Sequence, residues 1–283
     1  MRAEKQGANG KKKQSAVAAE NEKFSLKETL AKIFGSALSA LKSAVYPENV
    51  TCDLCGAELV ADTRYALCAD CTAEMPFVDG HVCLVCGAPI SDEADYCLRC
   101  QRQESVFGRN VAALVYENKA REMIYSLKFG GKKYIAKTLA AMMSDAFLRS
   151  GIEGEIIVPV PMAASEKKKR GFNQSELLAE EIGKRLNIPV LPALVKTKET
   201  RPQKELGGKD RAENLKGCFA VAYGEYVAGR KILLVDDVFT TGATANECAR
   251  TLLKSKARKV NVLTAAVTCV PKKEEPPVPE SAV

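Results

Sequence analysis

The sequence contains no tryptophan, a single histidine (His81) and no long uninterrupted apolar stretch. Lys, Glu or Gly interrupts each apolar segment well before the 18 residues that a membrane-spanning helix needs, which argues against an integral membrane protein. The amino terminus is rich in Lys and Gly and lacks the apolar core of a signal peptide, so we expect a cytoplasmic protein with no membrane partner. The lack of tryptophan weakens the case for a surface on which nucleobases stack.

The composition is otherwise that of a soluble globular protein, with 46% hydrophobic and 27% charged residues in 283. A chain of this length can bury a substantial core and hold more than one domain. The net charge of +7 permits contact with a polyanion without requiring one. Residues 1–22 and 271–283 are predicted to be disordered tails, and apolar residues at helical spacing predict an amphipathic helix over 24–46.

Eight of the eleven cysteines form four Cys-x-x-Cys pairs, and the first two pairs repeat in the next two, with the opening pair shifted by 31 residues. The pairs are Cys52/Cys55, Cys68/Cys71, Cys83/Cys86 and Cys97/Cys100. Without an export signal, disulfides are disfavoured, whereas four thiolates suit tetrahedral Zn²⁺. We therefore predict a double zinc ribbon over 50–104, with two structural Zn²⁺ ions. The repeat favours pairing within each half, but an interleaved arrangement also satisfies the count, and His81 could replace a ligand.

Residues 105–270 alternate between predicted strands and helices, which indicates an α/β domain. The predicted strands include 111–116 and 155–160, and the predicted helices include 119–129 and 134–148. A later helix has the apolar face Leu177, Leu178, Ile182 and Leu186.

The most informative stretch runs from Lys231 to Ala249 and predicts a strand, a phosphate-binding turn and a helix. The apolar run Ile232–Val235 is typical of a strand buried on both faces, and Asp236 and Asp237 follow it, where ligands of parallel α/β sheets bind. The turn that follows offers backbone N–H groups and hydroxyls to an anion: Thr240, Thr241, Gly242, Ala243 and Thr244. Thr244 and Glu247 have the spacing of a capping box. The acids can accept hydrogen bonds from ribose hydroxyls and hold a divalent ion, so a single sugar phosphate could use both parts of the stretch.

Other segments of the domain also suit phosphates. In Val158, Pro159, Val160 and Pro161, two prolines mark the carboxyl end of a strand. Four successive cations, Lys167 to Arg170, lie at a predicted helix entrance, where they would attract pyrophosphate. For the three lysines, the alternative is an ordinary solvated basic loop. The long polar segment 197–215, with Arg201, Gln203 and Arg211, is predicted to be a mobile lid that closes over phosphates.

The order of these motifs resembles that of the ComF family of competence-associated, phosphoribosyltransferase-like proteins. The motifs are the Cys-x-x-Cys pairs, Leu127–Gly130, Pro159–Pro161, Arg170–Gln174, Thr200–Gln203, Arg211–Asn214 and Val235–Thr244. The resemblance implies a type I phosphoribosyltransferase-like fold, in which a parallel sheet is flanked by helices, behind the cysteine-rich zinc-ribbon module.

The resemblance also implies a ligand, phosphoribosyl pyrophosphate (PRPP) or ribose 5-phosphate, bound with Mg²⁺. The acid pair would contact the ribose and Val158–Pro161 the pyrophosphate. Asp236, Asp237 and Arg170 would be catalytic through positioning and electrostatics, which require no histidine. For bacterial members it implies a role in natural competence, with incoming single-stranded DNA and competence proteins as partners. The acceptor, the oligomeric state and catalysis itself stay open, and the alternative is a PRPP sensor or a DNA-binding adaptor that uses the zinc module.

Overall fold

The computed structural model describes residues 50–59, 63–91, 93–198 and 213–269. The predictions for both tails, for the helix over 24–46 and for the lid residues Arg201, Gln203 and Arg211 lie outside these ranges. From Thr51 onward, the described residues belong to one compact unit. In these ranges, no helix combines the length and the apolar character needed to cross a membrane.

The described part of the chain forms a parallel sheet with helices and a small antiparallel pair. The strands are β1 (Asn110–Val115), β2 (Ile156–Pro159), β3 (Leu194–Lys196), β4 (Phe219–Val221), β5 (Lys231–Phe239) and β6 (Lys259–Val267). The helices are α1 (Ala69–Ala73), α2 (Leu98–Gln101), α3 (Asn118–Phe129), α4 (Ile135–Ser150), α5 (Ala164–Arg170), α6 (Gln174–Leu186), α7 (Gly224–Val227) and α8 (Ala243–Lys254). The predicted fold class, a parallel α/β sheet behind a cysteine-rich module, is confirmed.

The main sheet has the order β1-β6-β5-β2, with all neighbours parallel, while β3 and β4 pair antiparallel. The central position of β5 explains its apolar run, because Ile232 to Val235 are completely buried between two layers. Alternate residues of a strand face opposite sides of the sheet. Leu233 and Val235 accordingly belong to one core cluster, and Ile232 and Leu234 to the other.

Each side of the sheet is covered by different elements. The cluster that contains Leu233 includes buried residues of α4 and α6, among them Leu139 and Leu178. The cluster that contains Ile232 includes Cys248 of α8 and also the second-ribbon cysteines. The second half of the cysteine module is therefore part of the core beneath one face of the sheet.

The two halves of the cysteine module are built alike, as the sequence repeat predicts. Each half has an isolated antiparallel bridge around its first Cys-x-x-Cys turn, Thr51 with Glu58 and Val82 with Pro89. Each second Cys-x-x-Cys pair begins a short helix, α1 after Cys68 and α2 after Cys97. The repeat in the sequence is thus a repeat in the structure.

Two local predictions are wrong. The cations Lys167 to Arg170 do not stand at a helix entrance but form the last turn of α5, where a helix dipole favours positive charge. Strand β5 does not end before the acids but continues through them to Phe239, since β6 pairs with it that far. On its other side β5 loses its partner earlier, because β2 ends at Pro159 opposite Val235.

Candidate functional site

The acid pair lies where β5 extends past the end of β2. Consecutive strand residues point to opposite faces of the sheet, so Asp236 and Asp237 do not share one environment. Asp236 lines a cleft together with the turn after β5, whereas Asp237 is 4% exposed and faces α3. The structure therefore assigns the two neighbouring carboxylates different partners.

Asp237 forms an ion pair with Lys128 of α3, with 2.9 Å between Oδ2 and Nζ. Burial opposes the positive charge of Lys128, but attraction by Asp237, and then by Asp236, outweighs it and raises the pKa of the lysine. Lys128 was not among the predicted site residues. Its signal in the sequence was the Leu127–Gly130 motif, which carried the family resemblance but no assigned role.

Asp236 accepts two hydrogen bonds through Oδ1. Its donors are the Ser175 hydroxyl at the start of α6 and the backbone N–H of Asp237, each at 2.9 Å. Burial, and after it the charge of Asp237, raises the pKa of Asp236 to about 7. The carboxyl can therefore exchange its proton for a bound cation near neutral pH.

The turn after β5 has the geometry of an anion-binding loop. Gly242 has φ 79°, and a Cβ there would lie 2.7 Å from Cζ of Phe239, so only glycine fits without strain. Helix α8 begins at the next residue, Ala243. Its first N–H groups have no intrahelical partner and point with the positive end of the helix dipole towards this turn.

A shallow cleft, open to solvent, joins the acid to the turn. Its lining includes Asp236, Thr240, Gly242–Ala245 and, from β6, Thr264. One ligand can therefore contact both a carboxylate and the start of α8. Thr241, also a predicted phosphate-binding residue, accepts a hydrogen bond at Oγ1 from the N–H of Ala243 at 3.4 Å.

The predicted capping box is wrong. Gly242, which has no side chain, is the residue before the helix, and it makes no capping hydrogen bond to α8. The buried Glu247 side chain instead accepts the N–H of Gly217 at 2.8 Å and pairs with Arg250 at 2.7 Å. Glu247 thus ties α8 to the segment before β4.

The segment Val158–Pro161 lies beside β5, just before the acids. Pro159 is opposite Val235, and the N–H of Val160 donates to the Val235 carbonyl at 2.9 Å. The Asn173 amide donates to the Val160 carbonyl at 3.0 Å. These contacts fix the end of β2 against β5, next to Asp236.

Arg170 lies close to this segment but makes its described contacts elsewhere. Its Nη1 donates to Oε1 of Gln174 at 2.5 Å, and its guanidinium lies 5.2 Å from the ring centroid of Phe129. Gln174 precedes Ser175, which holds Asp236. Arg170 is therefore linked to the acid only through Gln174 and its neighbour Ser175 at the start of α6.

The cysteines form two separate four-sulfur sites, one in each half of the module. The sets are Cys52, Cys55, Cys68 and Cys71, and Cys83, Cys86, Cys97 and Cys100. Within each set all sulfur atoms lie within 4.8 Å of one another, so pairing is within each half and not interleaved. The ring Nε2 of His81 contacts the Ala94 carbonyl at 2.6 Å, and His81 belongs to neither set.

The sulfur separations fit zinc. Cys55 and Cys68, and likewise Cys86 and Cys97, have Sγ atoms 3.7 Å apart. A disulfide would require about 2.05 Å, whereas a tetrahedron with Zn–S bonds of about 2.3 Å has edges of about 3.8 Å. Four thiolates close the coordination shell, which is typical of structural zinc.

Arg99 of α2 connects the second cysteine site to the turn after β5, and sequence reasoning missed it. Its Nη1 donates to the Thr240 carbonyl, and its guanidinium lies 5.7 Å from the ring centroid of Phe239. No local pattern marks this arginine, because its partner is 141 residues away in the sequence.

Comparison with known proteins agrees with this architecture. Residues 41–101 match the double zinc ribbon domain. The chain is 32% identical to Competence protein F of Haemophilus influenzae over 209 residues, which are 70% of this chain and 89% of that protein. It is 27% identical to Competence protein ComFC of Bacillus subtilis over 234 residues, covering 76% and 94% of the two chains.

A solved structure of adenine phosphoribosyltransferase from Thermoanaerobacter pseudethanolicus is also similar, at 12% identity and a TM-score of 0.30. The similarity covers 50% of this chain and 84% of that one. This TM-score is too low to support an argument about function.

The fold and the site define a class of protein in which a double zinc ribbon precedes a parallel α/β domain with an acidic strand end followed by a glycine turn. Within that class, the chain belongs to the ComF family of competence proteins.

Proposed function

We propose that this protein binds PRPP, or a closely related ribose 5-phosphate, in the cleft after β5, and that it is a phosphoribosyltransferase-type protein of natural competence. The observation that carries the proposal is the cleft itself, which joins the Asp236 carboxylate to the glycine turn at the start of α8. The turn suits the 5-phosphate and the carboxylate suits the ribose hydroxyls. The names of the curated relatives support the competence role.

The residues present fit a role for Mg²⁺. This ion keeps several waters and is bound through one or two carboxylates and substrate phosphates, which one carboxylate at the cleft can satisfy. Asp236 would hold it, and its pKa of about 7 allows it to lose its proton in exchange. When bound, Mg²⁺ would neutralise charge on the departing pyrophosphate.

The chain's own residues would do the remaining work by positioning and electrostatics. The turn 240–244 would orient the 5-phosphate, and Val158–Pro161 and Arg170 would bind pyrophosphate. Asp237 does not line the cleft and would act indirectly, through its pairing with Lys128, which sets the charge next to Asp236. Loss of pyrophosphate from C1 leaves a cationic ribosyl group, which nearby carboxylates stabilise.

The proposal is tested by calorimetric titration of the zinc-loaded protein with PRPP in the presence and absence of Mg²⁺. We expect Mg²⁺-dependent binding in the wild type and at least a tenfold loss in D236N. The exposed Glu225 of α7 provides the control E225Q, which makes the same change of charge and should bind as the wild type does. Absence of binding in the wild type would refute the proposal.

Catalysis is a separate question, which a second assay addresses. Radiolabelled PRPP incubated with a panel of nucleobases and amines should release pyrophosphate only with a suitable acceptor. Binding without release for any acceptor would support a PRPP sensor. The cytoplasmic location expected from the sequence stays a prediction.

One observation favours a second candidate function, binding of single-stranded DNA. Tyr125 and Phe129 of α3 are 61% and 51% exposed, with ring centroids 5.0 Å apart, and Tyr134 nearby in the sequence is 52% exposed. Lys132 and Lys133 between them are also exposed. Rings that bases can stack on, combined with cations for the backbone, are the elements of a single-strand binding surface. The absence of tryptophan is therefore no objection.

This function predicts binding of fluorescent oligothymidylate whose affinity falls steeply between 50 and 200 mM salt. Y125A should weaken binding roughly 5- to 150-fold, since stacking contributes about 1–3 kcal/mol per base. The matched control is Y226A on α7, because Tyr226 is 60% exposed and should not affect binding. Equal affinities of the two variants would exclude this surface.

A further inference from the structure

The second zinc ribbon lies directly behind the phosphate-binding turn. Arg99 stands between the ligands Cys97 and Cys100 in the sequence, on the short helix α2 that follows Cys97. On its other side it donates to the backbone carbonyls of Thr240, through Nη1, and Thr268, through Nη2 at 3.5 Å. One cation therefore bridges the metal site and the first residue of the turn.

A second bridge reaches β6, the strand that pairs with the acid-bearing strand β5. The Asn110 amide donates to the Cys86 carbonyl at 2.8 Å, and its Oδ1 accepts from the Thr264 hydroxyl at 3.3 Å. Asn110 is completely buried, and Thr264 lines the cleft opposite Asp236 in the register of β5 and β6. The second ribbon packs tightly against β1 at this point, because a Cβ at Gly87 would lie only 2.6 Å from the Asn110 carbonyl oxygen.

The first ribbon makes a different set of contacts. The Tyr65 hydroxyl donates to Asp145 of α4 at 2.8 Å, and the Arg64 guanidinium pairs with the same carboxylate at 2.9 Å. The Thr138 hydroxyl, also on α4, donates to Asp53. These contacts attach the first ribbon to a helix, not to the turn or to β6.

We propose that Arg99 is a positioning residue through which the second zinc ribbon, and not the first, holds the phosphate-binding turn in its binding conformation. A single planar guanidinium that donates to two carbonyls, and that also lies against the Phe239 ring, fixes the start of the turn against the end of β6. Metal in the second ribbon fixes α2 and therefore Arg99. Its effect on ligand affinity rests on the proposed function, whereas its effect on the turn does not.

The test compares wild type, R99A, R99K and a matched substitution in the first ribbon, R64A. Zinc content, amide hydrogen exchange over residues 239–244 and PRPP affinity are measured for each. We expect two zinc ions in all four proteins. R99A should exchange the turn amides at least tenfold faster and bind PRPP at least tenfold more weakly. R99K keeps the charge, but a lysine cannot donate to both carbonyls in the same planar geometry. Its turn exchange rate and PRPP affinity should therefore lie between those of wild type and R99A. R64A should behave as wild type.

A general loss of stability would speed exchange throughout the sheet, so faster exchange confined to 239–244 separates positioning from unfolding. The proposal would be overturned if the turn amides of R99A exchanged at the wild-type rate. It would also be overturned if R99A and R64A changed the exchange of the turn equally. If R99A does not fold, the comparison of R99K with wild type tests the proposal, by amide exchange over residues 239–244 and by PRPP affinity. If the wild type does not bind PRPP, the proposed function fails while the exchange measurement still decides the role of Arg99.

Discussion

Replacing Asp236 by Asn is expected to stabilise the folded protein above pH 7 while it weakens ligand binding. In the folded protein, burial and then the charge of Asp237 raise the pKa of Asp236 from 3.8 to about 7. In the unfolded chain, the pKa returns to about 3.9. Between these values the folded protein retains a proton that the unfolded chain releases.

Because the folded state binds more protons in this window, the free energy of unfolding decreases as the pH rises from about 4 to 7. The difference of about 3 pKa units, at 1.36 kcal/mol per unit, gives an upper limit of about 4 kcal/mol above pH 7. D236N cannot ionise, so it should be more stable than the wild type by up to about 4 kcal/mol at pH 8. At pH 4 the two proteins should be nearly equal.

D237N is the matched control, since it makes the same change one residue further along the strand. It removes the ion-pair partner of Lys128, whose side chain is only 21% exposed, and should cost about 3–5 kcal/mol. The assay is urea unfolding of the zinc-loaded proteins, followed by circular dichroism from pH 4 to 8. The argument is refuted if both variants shift stability in the same direction at pH 8, or if the advantage of D236N does not depend on pH.

Three further predictions concern the turn, the metal sites and the buried pair. G242A should bind PRPP at least tenfold more weakly and lose about 1–3 kcal/mol of stability, because its Cβ would clash with Phe239. The control is G229A: Gly229 has φ 75°, but a Cβ there would meet no atom within 4 Å, so this variant should lose stability without losing affinity in the same titration. Native mass spectrometry should show two zinc ions in the wild type and one in C55S, and two ions in C55S would contradict the ligand set. K128M should lose about 3–5 kcal/mol in urea unfolding, because it leaves the buried Asp237 carboxylate unpaired. The double variant K128M/D237N should recover most of this loss, and additive losses would mean that the pair is not coupled.

Much of the site was predictable because its parts are local in the sequence. The strand, the glycine turn and the following helix are consecutive, and the cysteine repeat sets the ligands of each metal site within 20 residues. Errors arose where a neighbouring element changed a local preference. The extra length of β5 comes from pairing with β6. Glu247 does not form the predicted capping box, because its carboxylate accepts a hydrogen bond from the N–H of Gly217, 30 residues away.

By itself, the sequence determined the α/β class, the acids, the turn and the eight thiolates, because periodicity and spacing act between residues close along the chain. The tertiary structure alone decided that Lys128 neutralises Asp237, that Ser175 holds Asp236 and that Arg99 reaches Thr240. These contacts depend on the strand order β1-β6-β5-β2 and on the seating of the second ribbon against β1. No local pattern encodes such an order, since it results from burying the faces of all the elements together.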